Sequence, residues 1–326
     1  MNKNISMNTL ILNSKEIEKA SELIKKNELV AFPTETVYGL GANALNKEAV
    51  KKIFIAKGRP SDNPLIVHIC RKKDIFNYVN FNSTEQKELA IKLIKKFWPG
   101  PLTLILPKKE IVPYETTANL ETIAIRMPNN KIALKLIKLS DCPIAAPSAN
   151  LSGKPSGTTF KHVYNDFNGK ISCIIKSKKT KYGLESTVVD LTSKPVLLLR
   201  PGAITFEELK NIIPNLKVLK NKKFIKAKSP GMKYKHYSPE AKVILFEKSK
   251  NQEKKIKKFY ETLIKKKYKV KIIDFNEKNL AKELYYIFRD ADEKKINYLI
   301  VKGFDDKGLG LALMNRLRKA ATKIIK

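Results

Sequence analysis

The chain has 326 residues, a formal net charge of +34 and 43% hydrophobic residues. That length allows two domains with separate cores, and the apolar content is that of an ordinary globular protein. No run reaches the ~18 apolar residues that a bilayer-spanning helix needs. The opening MNKNISMNTLILNSKEIEKA lacks the apolar region and small-residue cleavage site of a signal peptide, so a cytoplasmic protein without membrane contact is expected. Cys70, Cys142 and Cys173 are scattered and odd in number, which gives no disulfide framework. With His68, His162 and His236 as the only histidines, no paired Cys/His spacing marks a zinc site.

The positive charge invites a nucleic-acid reading, because clustered cations release counterions from phosphates. The lysines are instead spread along the whole chain and outnumber the arginines, and Asn and Ile are abundant too. Biased genome composition produces that pattern. Selected RNA affinity and genome composition both stay open, and either one favours encounter with polyanions.

In chain order, residues 29–34 read as a strand. Asn46 caps a helix through Ala56, and residues 64–70 are strand-like again. Ser83 and Gln86 have capping-box spacing before a helix that ends near Trp98. Pro99-Gly100-Pro101 breaks it, and residues 102–106 form a buried strand. Residues 123–127, 143–146, 171–175, 187–191 and 196–199 are further strands, and 206–213 a helix. The expected fold class is α/β with a twisted mixed sheet rather than a doubly wound parallel one. Residues 1–213 make the first domain. The Lys-rich stretch 214–240, with Pro214, Pro230 and Pro239, reads as an extended linker. From 241 to 326 strands at 242–246, 269–275 and 297–301 alternate with helices at 252–267, 280–294 and 309–325. That is a smaller, Rossmann-like three-layer parallel domain. It has no complete G-x-G-x-x-G loop after its first strand, so dinucleotide binding is not expected.

The densest chemistry lies between Pro33 and Val67. Lys57, Arg59, Ser61 and Asn63 stand on alternate residues, and an extended segment would send them to one face. A point charge, a planar fork and two neutral hydrogen-bonding groups suit a polyphosphate. A solvated basic turn fits the same spacing. The stretch APSANLSGKPSG is dense in small hydroxyl residues, whose hydroxyls and backbone amides can cradle phosphates. A surface loop is its plain alternative. Arg126 in IAIRMP has apolar flanks, so burial with a carboxylate partner is expected. His68 in PLIVHIC reads by itself as a satisfied core histidine.

The segments PTETVYGLGANA, KGRPSDNPL, PGPLTLIL, IAIRMP and APSANLSGKPSGTT follow one another in this order. ESTVVD (185–190), LLRPGAI (198–204) and SPGMKYKHYSP (229–239) continue them. With these motifs the chain resembles the YrdC-like threonylcarbamoyl-AMP synthases in their long two-domain form, over nearly its whole length. The resemblance implies synthesis of threonylcarbamoyl-AMP and pyrophosphate from L-threonine, bicarbonate and ATP. A downstream tRNA threonylcarbamoyl transferase then uses the product. It implies Lys57 and Arg59 as catalytic residues. Arg59, Asn63, Thr122, Ser148, Ser156, Arg200 and Tyr237 would bind ATP, with Tyr237 closing over it from the linker. Thr36, His68, Arg126, Ala146 and Ser186 would bind L-threonine. Mg²⁺ is expected on the triphosphate, with no protein ligands assigned. Two alternatives remain: a non-catalytic RNA-binding maturation factor and a carbamoyltransferase of the same fold. The KGRPSDN, RMP and SAN motifs speak against the first, since an RNA binder needs no amino-acid pocket. The C-terminal region speaks against the second.

Overall fold

The computed structural model describes residues 8–219 and 238–326. Tyr237 and the rest of 229–237 in SPGMKYKHYSP lie outside the described residues. The first domain contributes β1 (Leu10–Leu12), β2 (Val30–Phe32), β3 (Gly39–Asn43), β4 (Ile66–His68), β5 (Leu102–Pro107) and β6 (Thr122–Arg126). It continues with β7 (Ile144–Ala145), β8 (Cys173–Ile175), β9 (Thr187–Asp190), β10 (Leu197–Arg200) and β11 (Lys217–Val218). They form one sheet in the order β1-β8-β2-β3-β7-β4-β6-β5-β9-β10-β11. Parallel pairs such as β4 with β6 sit beside antiparallel ones such as β4 with β7, so the sheet is mixed, as expected. β11 lies within the stretch expected as linker and pairs in parallel with β10.

The helices form where the sequence supplies starts and stops. Asn46 accepts a hydrogen bond from the Ala49 amide at 2.9 Å, and Gly58 ends that helix with φ of 58°. Ser83 caps the Gln86 amide at 3.2 Å, while Gln86 reaches back to the Asn82 amide at 2.8 Å. Apolar helix faces cover both sides of the sheet. Val50, Ile53, Phe54, Leu93 and Phe97 pack against Leu40, Val67, Leu104 and Ile125 on one side. Ile17, Ala20, Leu136 and Ile137 pack against Val30, Phe32, Ile144 and Ile175 on the other. β3 had no signal in the sequence because GLGAN carries little strand propensity. Gly41 is needed there: a Cβ would stand 2.7 Å from both Ile144 and Phe32.

The second domain contributes β12 (Lys242–Phe246), β13 (Val270–Ile273), β14 (Tyr298–Lys302) and β15 (Lys323–Ile325), all parallel, in the order β13-β14-β12-β15. The helix Gln252–Lys265 packs Ile256 and Leu263 on one face, against Ile244, Phe246 and Ile300. The helices Glu277–Glu293 and Gly308–Ala320 cover the other, with Leu284, Phe288, Leu313 and Leu317 against Val243, Leu245, Leu299 and Val301. The three layers match expectation. The expected helix 309–325 does not reach its end. It stops at Ala320, and Lys323–Ile325 joins β12 as an edge strand. A short apolar run bounded by lysines fits either structure, and the unpaired edge of β12 decides it.

Two buried histidines set a pH response. Burial, aided by the Arg126 charge, pushes His68 down to about 3. Burial, aided by Arg289, does the same to His162, which also faces Asp166, Lys179 and Lys161. Both are neutral in the folded state and protonate near pH 6.5 when unfolded. Between those values the unfolded state holds more protons, so stability falls on acidification by about 1.4 kcal/mol per pH unit for each histidine. We predict that urea unfolding free energy drops from pH 7 to pH 5. His162→Gln, which can still accept from the Thr158 amide, should flatten that slope by about one proton. An unchanged slope would refute the assignment.

Candidate functional site

A cleft opens where β4 and β6 end side by side, with His68 in register with Arg126. Thr34 and the segment Thr36–Gly39 form one wall, with Glu35 turned behind it onto Arg126. The loop after β7, from Ala146 to Lys154, forms the second. Glu185, Ser186 and Arg200 close the third. Gly39 lets the first two walls approach, since a Cβ there would stand 3.2 Å from the Ala146 Cβ.

Arg126 is 3% exposed and held on three sides. Nε donates to the Gly100 carbonyl at 3.2 Å and Nη1 to Thr36 Oγ1 at 3.1 Å. Nη2 makes a buried ion pair with Glu35 Oε1 at 2.6 Å. A planar fork fixed in this way presents its remaining hydrogens in a set direction. His68 Nδ1 lies 3.1 Å from the Ile66 carbonyl, and the ring stands edge-on to Phe32. Since His68 is neutral, it offers the cleft a hydrogen-bonding group rather than a charge. Arg200 donates through Nε to the Ser186 carbonyl at 2.9 Å and through Nη2 to Ser186 Oγ at 3.0 Å. Ser186 Oγ also meets Thr103 Oγ1 at 2.8 Å.

The alternating face expected from Lys57 to Asn63 does not form. Lys57 ends the helix Lys47–Lys57, and a turn carries the chain onward past an exposed Ser61. Lys57 and Arg59 both line the cleft, but by different routes. Lys57 Nζ donates to the Ser148 carbonyl at 2.5 Å and to the Asn150 carbonyl. Burial and the neighbouring Arg59 charge push its pKa well down. Arg59 Nη2 donates to the Asn63 carbonyl at 3.3 Å. The Asn63 side chain is buried, and its amide has no hydrogen-bond partner among the described residues.

The cleft thus gathers Thr36, Lys57, Arg59, His68, Arg126, Ala146, Ser148, Ser186 and Arg200 from the sequence-derived set. Asn63, Thr122 and Ser156 are not among its described lining residues. Thr122 begins β6, and Ser156 Oγ donates to Glu185 Oε1 at 2.7 Å. The Ala146 amide is committed to the Ile66 carbonyl at 2.9 Å. Glu35 and Glu185 carry no assigned role in the sequence reading, although both stand inside quoted motifs. Among the described residues, no group of three or more His, Cys, Asp and Glu could hold a metal ion. None of their helices is long and apolar enough to cross a membrane.

A mixed-sheet α/β domain whose cleft gathers three arginines, two lysines and several hydroxyls has a lining suited to anionic ligands. Residues 22–202 match the Sua5/YciO/YrdC family model described as telomere recombination. Residues 204–322 match the threonylcarbamoyl-AMP synthase C-terminal domain. The chain belongs to this family, in its two-domain form. It is 47% identical to the threonylcarbamoyl-AMP synthase of Pyrococcus abyssi, over 96% of this chain and 98% of that protein. It is 46% identical to that of Bacillus subtilis, over 96% of this chain and 94% of the relative. The crystal structure of P. abyssi Sua5 complexed with L-threonine superposes with a TM-score of 0.92 at 45% identity, covering 98% of this chain and 99% of that one.

Lys57 provides a test of the cleft's architecture. Its side-chain amine ties the Ser148–Asn150 loop to the helix end, so Lys57→Met takes the donor from the Asn150 carbonyl and leaves the Ser148 carbonyl with the Asn150 amide alone. The expected cost is about 1–3 kcal/mol of folding stability, together with a loss of activity. An unchanged urea midpoint would show that the loop holds without it.

Proposed function

We propose that this protein is a threonylcarbamoyl-AMP synthase that converts L-threonine, bicarbonate and ATP into threonylcarbamoyl-AMP, pyrophosphate and water. The observation that carries the reading is the fixed Arg126 fork. It adjoins the Thr36 hydroxyl, and Ser186 lies in the same cleft as a second small hydroxyl. That combination suits an α-carboxylate beside a hydroxylated side chain. In this reading Arg126 takes the carboxylate, while neutral His68, Thr36, Ser186 and the backbone at Ala146 surround the rest of the amino acid. Because the Ala146 amide is spent, its carbonyl is the group left to accept from the substrate nitrogen.

The amine and bicarbonate form a carbamate, whose oxygen attacks the α-phosphorus of ATP as pyrophosphate leaves. No covalent enzyme intermediate is needed. Positioning and charge stabilisation carry the rate. Arg59 and Arg200 would meet negative charge that grows on the phosphates, with Ser148 from the same cleft. Lys57 acts by holding the Ser148–Asn150 loop. Asn63, Thr122 and Ser156 would complete the nucleotide site. Tyr237 would close over it from the linker; the chain next to it is described from Ser238, whose amide donates to the cleft-lining Gly153 carbonyl at 3.2 Å. Magnesium would enter on the triphosphate, held by phosphate oxygens and water. We assign 1–213 to the catalytic domain, 214–240 to the crossing linker and 241–326 to the C-terminal domain. The product would pass to a tRNA threonylcarbamoyl transferase in the cytoplasm.

Pyrophosphate release should require ATP, L-threonine and bicarbonate together. Arg59→Ala should cost about 2–4 kcal/mol in catalysis while leaving the fold nearly intact. Normal turnover by this variant would sink its assignment.

The pocket also predicts selectivity. A site that hydrogen-bonds a substrate hydroxyl rejects analogues lacking it more strongly than those missing a methyl group. In competition assays serine should be a poor substrate and 2-aminobutyrate poorer still. Equal turnover of threonine, alanine and valine would overturn the pocket assignment.

A further inference from the structure

The described residues that line the cleft all belong to the first domain, but the C-terminal domain supports them from behind. Val37 lines it, yet with Leu184 it belongs to the apolar cluster of the C-terminal domain, beside Leu284 and Leu313. Gly183 permits that approach: a Cβ there would stand 2.4 Å from the Lys282 carbonyl, and its φ is 72°. Two arginines of the C-terminal domain cross this seam. Arg289 donates to the Pro155 carbonyl at 2.9 Å and pairs with Asp166 at 2.6 Å. Arg316, which is 0% exposed, donates to Glu185 Oε2 through Nε at 3.2 Å and Nη2 at 3.1 Å, and to the Pro201 carbonyl.

Glu185 is the one carboxylate among the described residues lining the cleft, where it sits with Lys57, Arg59, Arg126, Lys154 and Arg200. Left bare, it would repel a polyphosphate and attract the cations meant for it. It is not bare. Oε1 accepts from Ser156 Oγ at 2.7 Å, and Oε2 from the Tyr285 hydroxyl at 2.9 Å as well as from Arg316. Tyr285 and Arg316 both belong to the C-terminal domain. Burial pushes the Glu185 carboxyl up, but Arg316, Arg200 and Ser156 outweigh it, so the group stays ionised and paired.

We propose that the C-terminal domain completes the cleft electrostatically, with Arg316 as a positioning residue that neutralises Glu185 and orients it so that the wall accepts the phosphates of ATP. The ligand assignment rests on the function proposed above. The neutralisation itself rests on the geometry alone. On this account Arg316 touches neither substrate. It acts through one carboxylate and, by way of Ser156, through the SGKPSG loop that this carboxylate holds.

The test is ATP binding by calorimetry on the full chain, without threonine, so that it does not depend on turnover. Arg316→Met should weaken ATP binding about tenfold or more, the scale of losing one charged-group interaction. Adding Glu185→Gln to that variant removes the exposed charge and should return affinity to within about threefold of the parent. Thermal melting of both variants reports the structural cost, of which the second change should recover only the part due to the unpaired buried carboxylate, the Arg316 bond to the Pro201 carbonyl staying lost. If the double variant stays as weak as the single one, or if Arg316→Met binds ATP normally, the proposal is overturned and Arg316 serves only to join the domains. If Arg316→Met does not fold, the double variant decides alone: near-parental ATP affinity supports the proposal, and a tenfold loss refutes it. Failure of the parent to release pyrophosphate with intact ATP binding would instead strike the proposed reaction and leave this inference standing.

Discussion

Burial of positive charge is the constraint on which this structure turns. Lys57, Arg126 and Arg200 are 3%, 3% and 5% exposed, and a cation cannot sit in so dry a place without oxygen partners. Each finds them on distant segments. Lys57 draws in Ser148 and Asn150, Arg126 draws in Glu35, Thr36 and Gly100, and Arg200 holds Ser186. The loops around the cleft are irregular and short on apolar residues. These contacts fix them together with the few buried apolar anchors they carry, such as Val37, Ala149 and Leu184. One set of interactions therefore holds the fold and shapes the cleft together, which makes the cleft walls costly to alter.

The large net charge is a separate matter. Of 65 Lys and Arg residues, only Lys57, Lys108, Arg126, Arg200, Arg289 and Arg316 are buried among the described residues. The other described lysines and arginines are exposed or half-buried, where water screens them. Four of the six buried cations are arginines although lysines dominate the composition. A guanidinium satisfies several oxygens in fixed directions and is more weakly hydrated, so it is the cation that tolerates burial. The site uses the rarer residue for a physical reason, and the bulk charge says little about it.

Much of the fold was legible because apolar runs and caps agree with it. Strands such as 102–106 and 123–127 and the caps at Asn46 and Ser83 formed where the pattern placed them. β3 escaped because its glycines serve packing against Phe32 and Ile144 rather than propensity. The C-terminal strand escaped because its partner edge exists only once β12 is in place. In the cleft, the motifs pointed to the right segments but not to how they are arranged. Counting alternate residues put Lys57 and Ser61 on one extended face, whereas Gly58 ends a helix between them and turns Ser61 to solvent. Arg316 left a trace that local chemistry could not interpret. It interrupts the stripe formed by Ala312, Leu313, Leu317 and Ala320, all of them buried. An arginine at a core position of a helix calls for a carboxylate, but the sequence does not say that the partner is Glu185, 131 residues away.

The contact between Arg200 and Ser186 bears on how two substrates could be handled together. The proposed function gives Arg200 to the nucleotide and Ser186 to the amino acid, yet the two are hydrogen-bonded to each other through both the Ser186 carbonyl and its hydroxyl. A ligand that reorients Ser186 also changes what Arg200 can offer, and the reverse holds by linkage. Glu185, next to Ser186, extends the same connection to Arg316 and thus to the second domain. A reaction without a covalent enzyme intermediate gains its rate from the relative placement of its reactants, and a misplacement of about 1 Å is enough to lose much of it. A wall in which the groups for both reactants are joined by direct hydrogen bonds, and anchored from behind by a separate domain, restricts that relative placement more tightly than two independent pockets could.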